Sequence, residues 1–397
     1  MRVLQVAPSL SLSWGGPAAV VSNLGQTLAK KGVATTVVTT RGTRVGVNPV
    51  DLAGVETRAF PTGVLGKLWT GYSPALAKSL RKMVGEFDVV HIHELWNHPH
   101  FAAYQAANRF RKPYIVSVHG NLGSWAMGHK GLRKRLYFAA IQRRMLNHAS
   151  ALHALTQEEK RQIDAQRLVP PVKVISNGID LQEFQTFPPR DEFGNKYPQT
   201  LGKTVCLFLG RIHPIKGLDL LANAFAQVRQ SHKAAFLVIV GPDEMGYRAR
   251  LEALVYELGV AKDILFTGPL VGRDKLAALI AADVFVLPSY SEGFSVTVLE
   301  AMAASLPVVV SRQCFFPEAA RAGAGLEVET NANALAGALA QLLDQPQRRR
   351  EMGEQGRRLV TERYTWDRIV DQMLELYQWV IEQHKAGTPA VQVSESG

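Results

Sequence analysis

The chain has 397 residues, 47% apolar and 20% charged, the balance of a globular enzyme long enough for two domains with separate cores. No apolar run approaches the ~20 residues of a membrane-crossing helix, so a soluble or peripherally attached protein is expected. The net charge of +11 is unevenly spread: residues 1–180 carry +14 and the remainder −3. Between Leu95 and Gln157 there is no acidic residue and there are nine basic ones, which points to an anionic partner such as a membrane or polyanion.

Taken in chain order, the first eight residues, with one basic residue and a short apolar run ended by Pro8, read as a β-strand and not as a leader peptide. Trp14-Gly15-Gly16-Pro17 follows, placing two glycines between a strand and a helix, where the backbone can approach an anionic ligand. There is no G-x-G-x-x-G, so a nicotinamide or flavin site has little support. Further strand-like runs span residues 34–40, 55–60, 89–93, 114–119, 151–155 and 172–176, with helical patterns between them at 16–31, 72–84 and 131–147. His91, His93, Glu94, His98 and His100 carry metal-ligand chemistry, but no further ligand follows at the usual spacing, and no metal is expected. At the end of the fifth run, His119 beside Gly120 and Asn121 is placed to hydrogen-bond a sugar hydroxyl or to balance developing charge. The stretch 130–146 is a basic amphipathic helix: Leu132, Leu136, Ile141 and Met145 share an apolar face. Arg133, Lys134, Arg135, Arg143 and Arg144 give the other face its charge and are candidates for contact with anionic lipid.

Residues 181–203, broken by Pro188, Pro189, Gly194, Pro198 and Gly202, are the best linker in the chain. The expected domains are residues 1–185, joined by a returning helix at about 367–385, and residues 186–366, followed by a disordered tail over 386–397. In the second domain, runs at 205–210, 235–240, 264–267, 284–287, 308–311 and 326–328 alternate with helices. Strand–helix alternation with apolar strands means parallel sheets covered on both faces, and hence two doubly wound α/β domains. Their default site is the cleft between them, outside the strand carboxyl ends. Cys206 and Cys314, far apart in apolar segments, read as buried thiols of a reducing compartment.

Three clusters sit at strand ends of the second domain. Arg211 and Lys216 flank the turn of Gly210-Arg211-Ile212-His213-Pro214-Ile215-Lys216-Gly217, so two cations can converge on one dianion. After Pro288, Glu292-Gly293-Phe294-Ser295 opens a helix whose first amides suit a phosphate. Glu300 lies about a turn and a half further on, as a natural acceptor for paired sugar hydroxyls.

The spacing of Glu292 and Glu300, with Ala301-Met302-Ala303 and Pro307-Val308-Val309 after them, resembles the E-x7-E signature of retaining glycosyltransferases of family four with the GT-B fold. Gly15-Gly16, His119-Gly120, Ser176-Asn177-Gly178-Ile179-Asp180 and the Arg211–Lys216 pair match further motifs of that family in the same order, over about residues 1–385. The resemblance implies two Rossmann-like domains facing across a cleft, and a hexose transferred from a nucleoside-diphosphate sugar. Arg211 and Lys216, with the amides of Gly293, Phe294 and Ser295, would hold the donor diphosphate without a metal or other cofactor. Glu300 would take the ribose hydroxyls and Glu292 those of the transferred sugar. His119 would sit near the anomeric centre, and Gly15 and Gly16 would border the diphosphate and acceptor. One departure stands out: where many members carry Gly-Gly-x-Pro-Glu, this chain has Cys314-Phe315-Phe316-Pro317-Glu318, and bulky aromatics there would narrow the sugar pocket.

The function expected is hexosyl transfer to an acceptor hydroxyl, with a lipid-linked glycan of cell-surface or exopolysaccharide assembly as acceptor. The enzyme is expected to be cytoplasmic, peripheral on the inner membrane face, with no nucleic-acid partner. The alternatives are a GT-B epimerase or phosphorylase and, from a different class, a polyanion-binding module.

Overall fold

The computed structural model describes residues 1–11, 16–41, 51–123 and 136–387. Among them the β-branched runs form β1 (Arg2–Val6), β2 (Ala34–Arg41), β3 (Glu56–Pro61), β4 (Val89–His93), β5 (Tyr114–Ser117), β6 (Ala151–Ala154) and β7 (Val172–Val174). The later runs form β8 (Thr204–Leu209), β9 (Ala235–Val240), β10 (Ile264–Gly268), β11 (Val284–Leu287), β12 (Val308–Ser311) and β13 (Gly325–Val328). They pair in parallel as two sheets, in the orders β3-β2-β1-β4-β5-β6-β7 and β10-β9-β8-β11-β12-β13. In both sheets the order reverses beside the first strand, between β1 and β4 and between β8 and β11. Loops leaving the carboxyl ends of two such strands diverge to opposite faces of the sheet and leave a crevice for a ligand.

Central strands are apolar on both faces, as a sheet covered by helices requires. All of Val284, Phe285, Val286 and Leu287 are buried, as are all of Val89, Val90 and Ile92. Helix Leu218–Ser231 lays Leu218, Leu221, Ala222, Phe225 and Val228 against the second sheet at helical spacing, and each large side chain so buried contributes ~1.5–3 kcal/mol.

The chain divides into residues 1–178 plus the segment from Trp366 onward, and residues Ile179–Thr365. The first boundary falls seven residues before the expected 185, and the linker expected at 181–203 is no linker. Phe184 and Phe193 from that stretch are buried in the second core, and short helices at Leu181–Phe184 and Glu192–Lys196 carry them there. The prolines and glycines mark turns between these short elements. The return to the first unit is tight: a Cβ on Gly178 would lie 2.9 Å from the backbone of Trp366, so only glycine fits there. Helix Trp366–Lys385 then completes the first unit, burying Trp366, Ile369, Val370, Met373, Tyr377 and Val380 against Val3, Leu24, Val89 and Ile115. The expected basic helix is also modified: residues Phe138–Gln142 form a π-helical turn that runs on into Arg143–Asn147. Residues 388–397 of the expected tail lie outside the described residues.

Candidate active site

At the β8/β11 reversal two loops are stitched together. Tyr290 N donates to Ile215 O at 2.8 Å. Gly217 adopts φ +65°, and a Cβ there would meet Pro288 O at 2.1 Å, so the first loop presses directly on the turn after β11. His213 shapes the same loop by accepting from Ile215 N at 3.1 Å. Burial holds the His213 imidazole below its ordinary pKa, with the Glu244 carboxylate opposing and the Arg211 and Lys216 charges adding to the effect.

This stitching brings Lys216 Nζ to 2.6 Å from Glu292 Oε1, with both side chains largely buried. Ser289 Oγ donates to the same oxygen at 2.6 Å, and Glu292 N donates to Gln313 O at 3.0 Å. Helix Val296–Ala303 starts immediately afterwards. Ser295, its N-cap residue, bonds Thr297 Oγ1 at 3.0 Å and does not cap the helix amides. The N-terminal partial positive charge therefore opens four residues after Glu292, the carboxylate that holds Lys216. Glu300 Oε1 is 2.7 Å from Lys275 Nζ. Burial lowers the Lys275 pKa, but the Glu300 and Glu183 carboxylates outweigh it and leave the group above its ordinary value. Arg211, about half exposed, pairs with Glu244.

Each partly buried carboxylate of the E-x7-E pair is thus neutralised by a lysine, which is what makes its burial tolerable. An incoming dianion can compete with Glu292 for Lys216, and hydroxyl groups can replace the ammonium donors that the two carboxylates release. Sequence reasoning did not anticipate Lys275 or Ser289. Lys275 comes from a different helix, Gly272–Ala281, and belongs to no motif.

In the first unit, His119 adopts φ +52° at the end of β5, and its Nε2 is 3.2 Å from His93 Nδ1. Its pKa is lowered to about 3, by burial first and then by the His153 charge. His93 Nε2 in turn lies 3.1 Å from Gln5 Oε1. The direction of these two bonds follows the tautomers of the two rings, and either way Nδ1 of neutral His119 is the nitrogen left to hydrogen-bond a hydroxyl. Glu159 holds the following turn in place, accepting from the amides of Gly120 and Leu155. Burial pushes its carboxyl up to about 7, with those two amides opposing. Glu159 also went unanticipated, although Thr156-x-x-Glu159 is a visible helix-capping signature; Thr156 Oγ1 accepts from Glu159 N at 3.1 Å.

A second histidine network extends from β4. His153 Nε2 meets Ile175 O at 2.7 Å, Ser117 Oγ lies 2.5 Å from His153 Nδ1 and 2.6 Å from His91 Nε2, and His91 Nδ1 is 2.7 Å from Tyr377 Oη. A carbonyl only accepts, so the direction of the whole chain is fixed: Tyr377 donates to His91, His91 to Ser117, Ser117 to His153, and His153 to Ile175. These histidines serve packing, and among the described residues no group of three potential metal ligands is present.

Of the other sequence candidates, Gly16 opens helix Gly16–Lys30 with open space where a Cβ would stand. Arg143 spends its guanidinium on Gln166 O at 2.9 Å, whereas Arg144 is exposed. Gly15, Arg133, Lys134 and Arg135 lie outside the described residues. The aromatics of the departing loop fall differently from expectation. Phe316 is buried, its ring 5.8 Å from Phe294 and 5.4 Å from Tyr364, so it packs in the core and does not narrow a pocket. Phe315, half-buried, takes the left-handed φ of +51° that glycine adopts more readily.

The fold has known counterparts. The Anabaena protein HepE in complex with UDP-glucose superimposes with a TM-score of 0.77 at 19% identity, over 96% of this chain and 100% of that one. Two Rossmann-like units with these sheet orders make the protein a GT-B glycosyltransferase in fold. Residues 15–178 match the glycosyl transferase 4-like domain, and residues 189–359 match glycosyl transferases group 1. The chain belongs to this family of group 1, family-4-like glycosyltransferases, enzymes that use nucleotide sugars. It is similar to the D-inositol 3-phosphate glycosyltransferase of Kineococcus radiotolerans, 28% identical over 94% of this chain and 92% of that one. It is also similar to the GDP-mannose-dependent monoacylated alpha-(1-6)-phosphatidylinositol monomannoside mannosyltransferase of Corynebacterium glutamicum, 29% identical over 66% of this chain and 69% of that one.

Proposed function

We propose that the protein is a retaining hexosyltransferase that moves a hexose from a nucleoside-diphosphate sugar to a hydroxyl of a lipid-linked glycan, in cell-surface or exopolysaccharide assembly at the cytoplasmic membrane face. The observation that carries the reading is the Lys216–Glu292 pair at 2.6 Å, set beside an uncapped helix N-terminus at the strand-order reversal of the second sheet. The membrane and lipid-linked parts draw support from the acid-free basic stretch 95–157 and from the Corynebacterium relative, whose acceptor is by name a phosphatidylinositol derivative.

The donor diphosphate takes Lys216, Arg211 and the amides of Gly293, Phe294 and Ser295, and frees Glu292 to orient the sugar hydroxyls. Glu300 turns from Lys275 to the ribose hydroxyls. His119 hydrogen-bonds a sugar hydroxyl through Nδ1, and Gly15 and Gly16 border the diphosphate and acceptor. The bond from the anomeric carbon to the phosphate oxygen then breaks. The acceptor oxygen bonds to the same face of that carbon, and its proton passes to the departing phosphate oxygen. Negative charge grows on the diphosphate during this step, and the fixed cations stabilise it more in the transition state than in the bound donor. They supply charge that a metal would otherwise bring, so no metal is required.

A screen of nucleotide sugars in the presence of a chelator, read by release of nucleoside diphosphate with and without glycan acceptors, tests this reading. One donor is expected to turn over in step with a glycosylated product of unchanged anomeric configuration. Loss of turnover on chelation would overturn the metal-free route. Conversion of donor with no acceptor product would point to an epimerase instead.

A further inference from the structure

A cavity of about 600 Å³ lies on the helical face of the first unit, away from the histidine network. It is lined from three elements: Arg81 of helix Pro74–Met83, Phe101 and Arg109 of helix His98–Arg109, and Ile141 and Arg144 of the π-turn and its continuation. No acidic residue lines it, and among the described residues none of the three arginines pairs with a carboxylate. Arg81 and Arg109 stand in the last turns of their helices. Helices that follow parallel strands run antiparallel to them, so these ends lie toward the amino edge of the sheet, opposite the edge that carries His119.

An apolar rim adjoins the cavity. Leu68 is 86% exposed and Leu136 63% exposed. Their chain neighbours, Trp69 and Tyr137, pack together with ring centroids 6.3 Å apart, and Trp69 lies 5.4 Å from Phe101, which lines the cavity. Two protruding leucines are therefore anchored by one aromatic cluster that reaches the arginine-lined cavity through Phe101. Guanidinium forks match phosphate oxygens, and exposed leucines gain by leaving water for acyl chains.

We propose that this cavity binds the phosphate head group of an anionic phospholipid, with Leu68 and Leu136 entering the acyl layer beside it. The inference deepens the membrane-facing part of the proposed function and rests on that part, not on the donor chemistry. It differs from a diffuse basic surface in requiring specific residues.

The test is co-sedimentation of the full-length protein with vesicles of phosphatidylcholine alone or mixed with phosphatidylglycerol. The parent protein should partition onto the mixed vesicles only. The variant Arg109→Gln/Arg144→Gln should bind them at least about tenfold more weakly, and Leu68→Ser/Leu136→Ser should also bind more weakly. Lys78→Gln/Lys82→Gln removes two charges from outside the cavity and should bind like the parent. Parental binding by the arginine variant, or equal losses in the arginine and lysine variants, overturns the proposal. Displacement from vesicles by millimolar inorganic phosphate at constant ionic strength would assign the cavity to soluble phosphate and overturn it as well. Donor turnover with a soluble acceptor is expected to be unchanged in the arginine variant; its loss would place the cavity in the catalytic chemistry. Failure of the glycosyl-transfer reading would show only in that turnover assay.

Discussion

Lys216 faces the Glu292 carboxylate; in the proposed mechanism it exchanges that partner for the donor diphosphate, and this exchange sets what its removal costs. In Lys216→Ala, Glu292 is left as a largely buried carboxylate with the Ser289 hydroxyl but no lysine against it. Turnover should fall by roughly 10²–10³, the usual loss for one fixed transition-state donor, with the acceptor KM little changed. Steady-state nucleotide release measures this, and parental turnover would remove Lys216 from the site. The histidines of the first unit make a second prediction at this scale. Burial first, and neighbouring histidine charges second, hold His91 and His93 well below the ordinary value and His119 at about 3; burial likewise holds His100 at about 3 and His153 at about 4, partly opposed by their backbone hydrogen bonds with His93 and Ile175. Below the unfolded value near 6.5 the unfolded chain takes up protons that the folded chain refuses. Stability is therefore fully present above that pH and is lost as pH falls, by up to about 1.4 kcal/mol per histidine and pH unit. Glu159, raised to about 7, acts in the opposite direction, and one carboxyl does not offset five imidazoles. Denaturant midpoints of the first unit should drop steadily from pH 7 to pH 5, and a flat profile would contradict neutral burial. Arg211, Lys216, Glu292 and Glu300 were legible because charged residues at strand ends are rare and ordered. Lys275 was not, since it meets Glu300 through tertiary packing alone, and Glu159 was not, since its capping signature does not reveal the bond to Gly120.

Strands and helices were easier to read than the joints between them. Apolar runs bounded by glycine and proline located the strands of both sheets, because a strand buried on both faces has few other ways to be written. Turn chemistry misled at residues 181–203. A proline-rich segment looks like a linker unless two of its four aromatics, Phe184 and Phe193, are known to be buried. The π-turn at Phe138–Gln142 has no sequence signature either, and arises from how that segment packs. The loop after β8 is the element on which the site depends most. Gly217→Ala would bring a methyl to 2.1 Å from Pro288 O, in a left-handed conformation that already costs an alanine ~1–2 kcal/mol. The loop must then pull away from the turn after β11 and carry Lys216 with it. The expected result is a lower melting temperature for the second unit and loss of turnover comparable to Lys216→Ala. Parental activity would show that the close approach is dispensable.

At the scale of the whole molecule, the two units have separate cores but share a chain that leaves the first unit at Gly178 and returns to it at Trp366. Tyr377 carries part of that return, since its hydroxyl starts the donor chain through His91, Ser117 and His153 to Ile175. Tyr377→Phe leaves His91 Nδ1 buried without a donor and should cost the first unit about 1–3 kcal/mol. Chemical denaturation read separately for the two units should show an earlier transition for the first and an unaltered one for the second. A shift of both together would mean that the units unfold as one. Strand–helix alternation exposed the two-domain plan in the sequence, and the returning helix expected at about 367–385 stands at Trp366–Lys385; the outward crossing at Gly178 was not legible, because its close contact with Trp366 joins residues far apart in the chain. That crossing has a consequence for biosynthesis. A ribosome delivers all of the second unit before it delivers helix Trp366–Lys385, so the segment made first must wait, with the apolar side of its sheet around Val3, Val89 and Ile115 uncovered, until that helix emerges. The younger segment is complete while the older one is still open, and the interval between them is when the nascent enzyme most needs a chaperone.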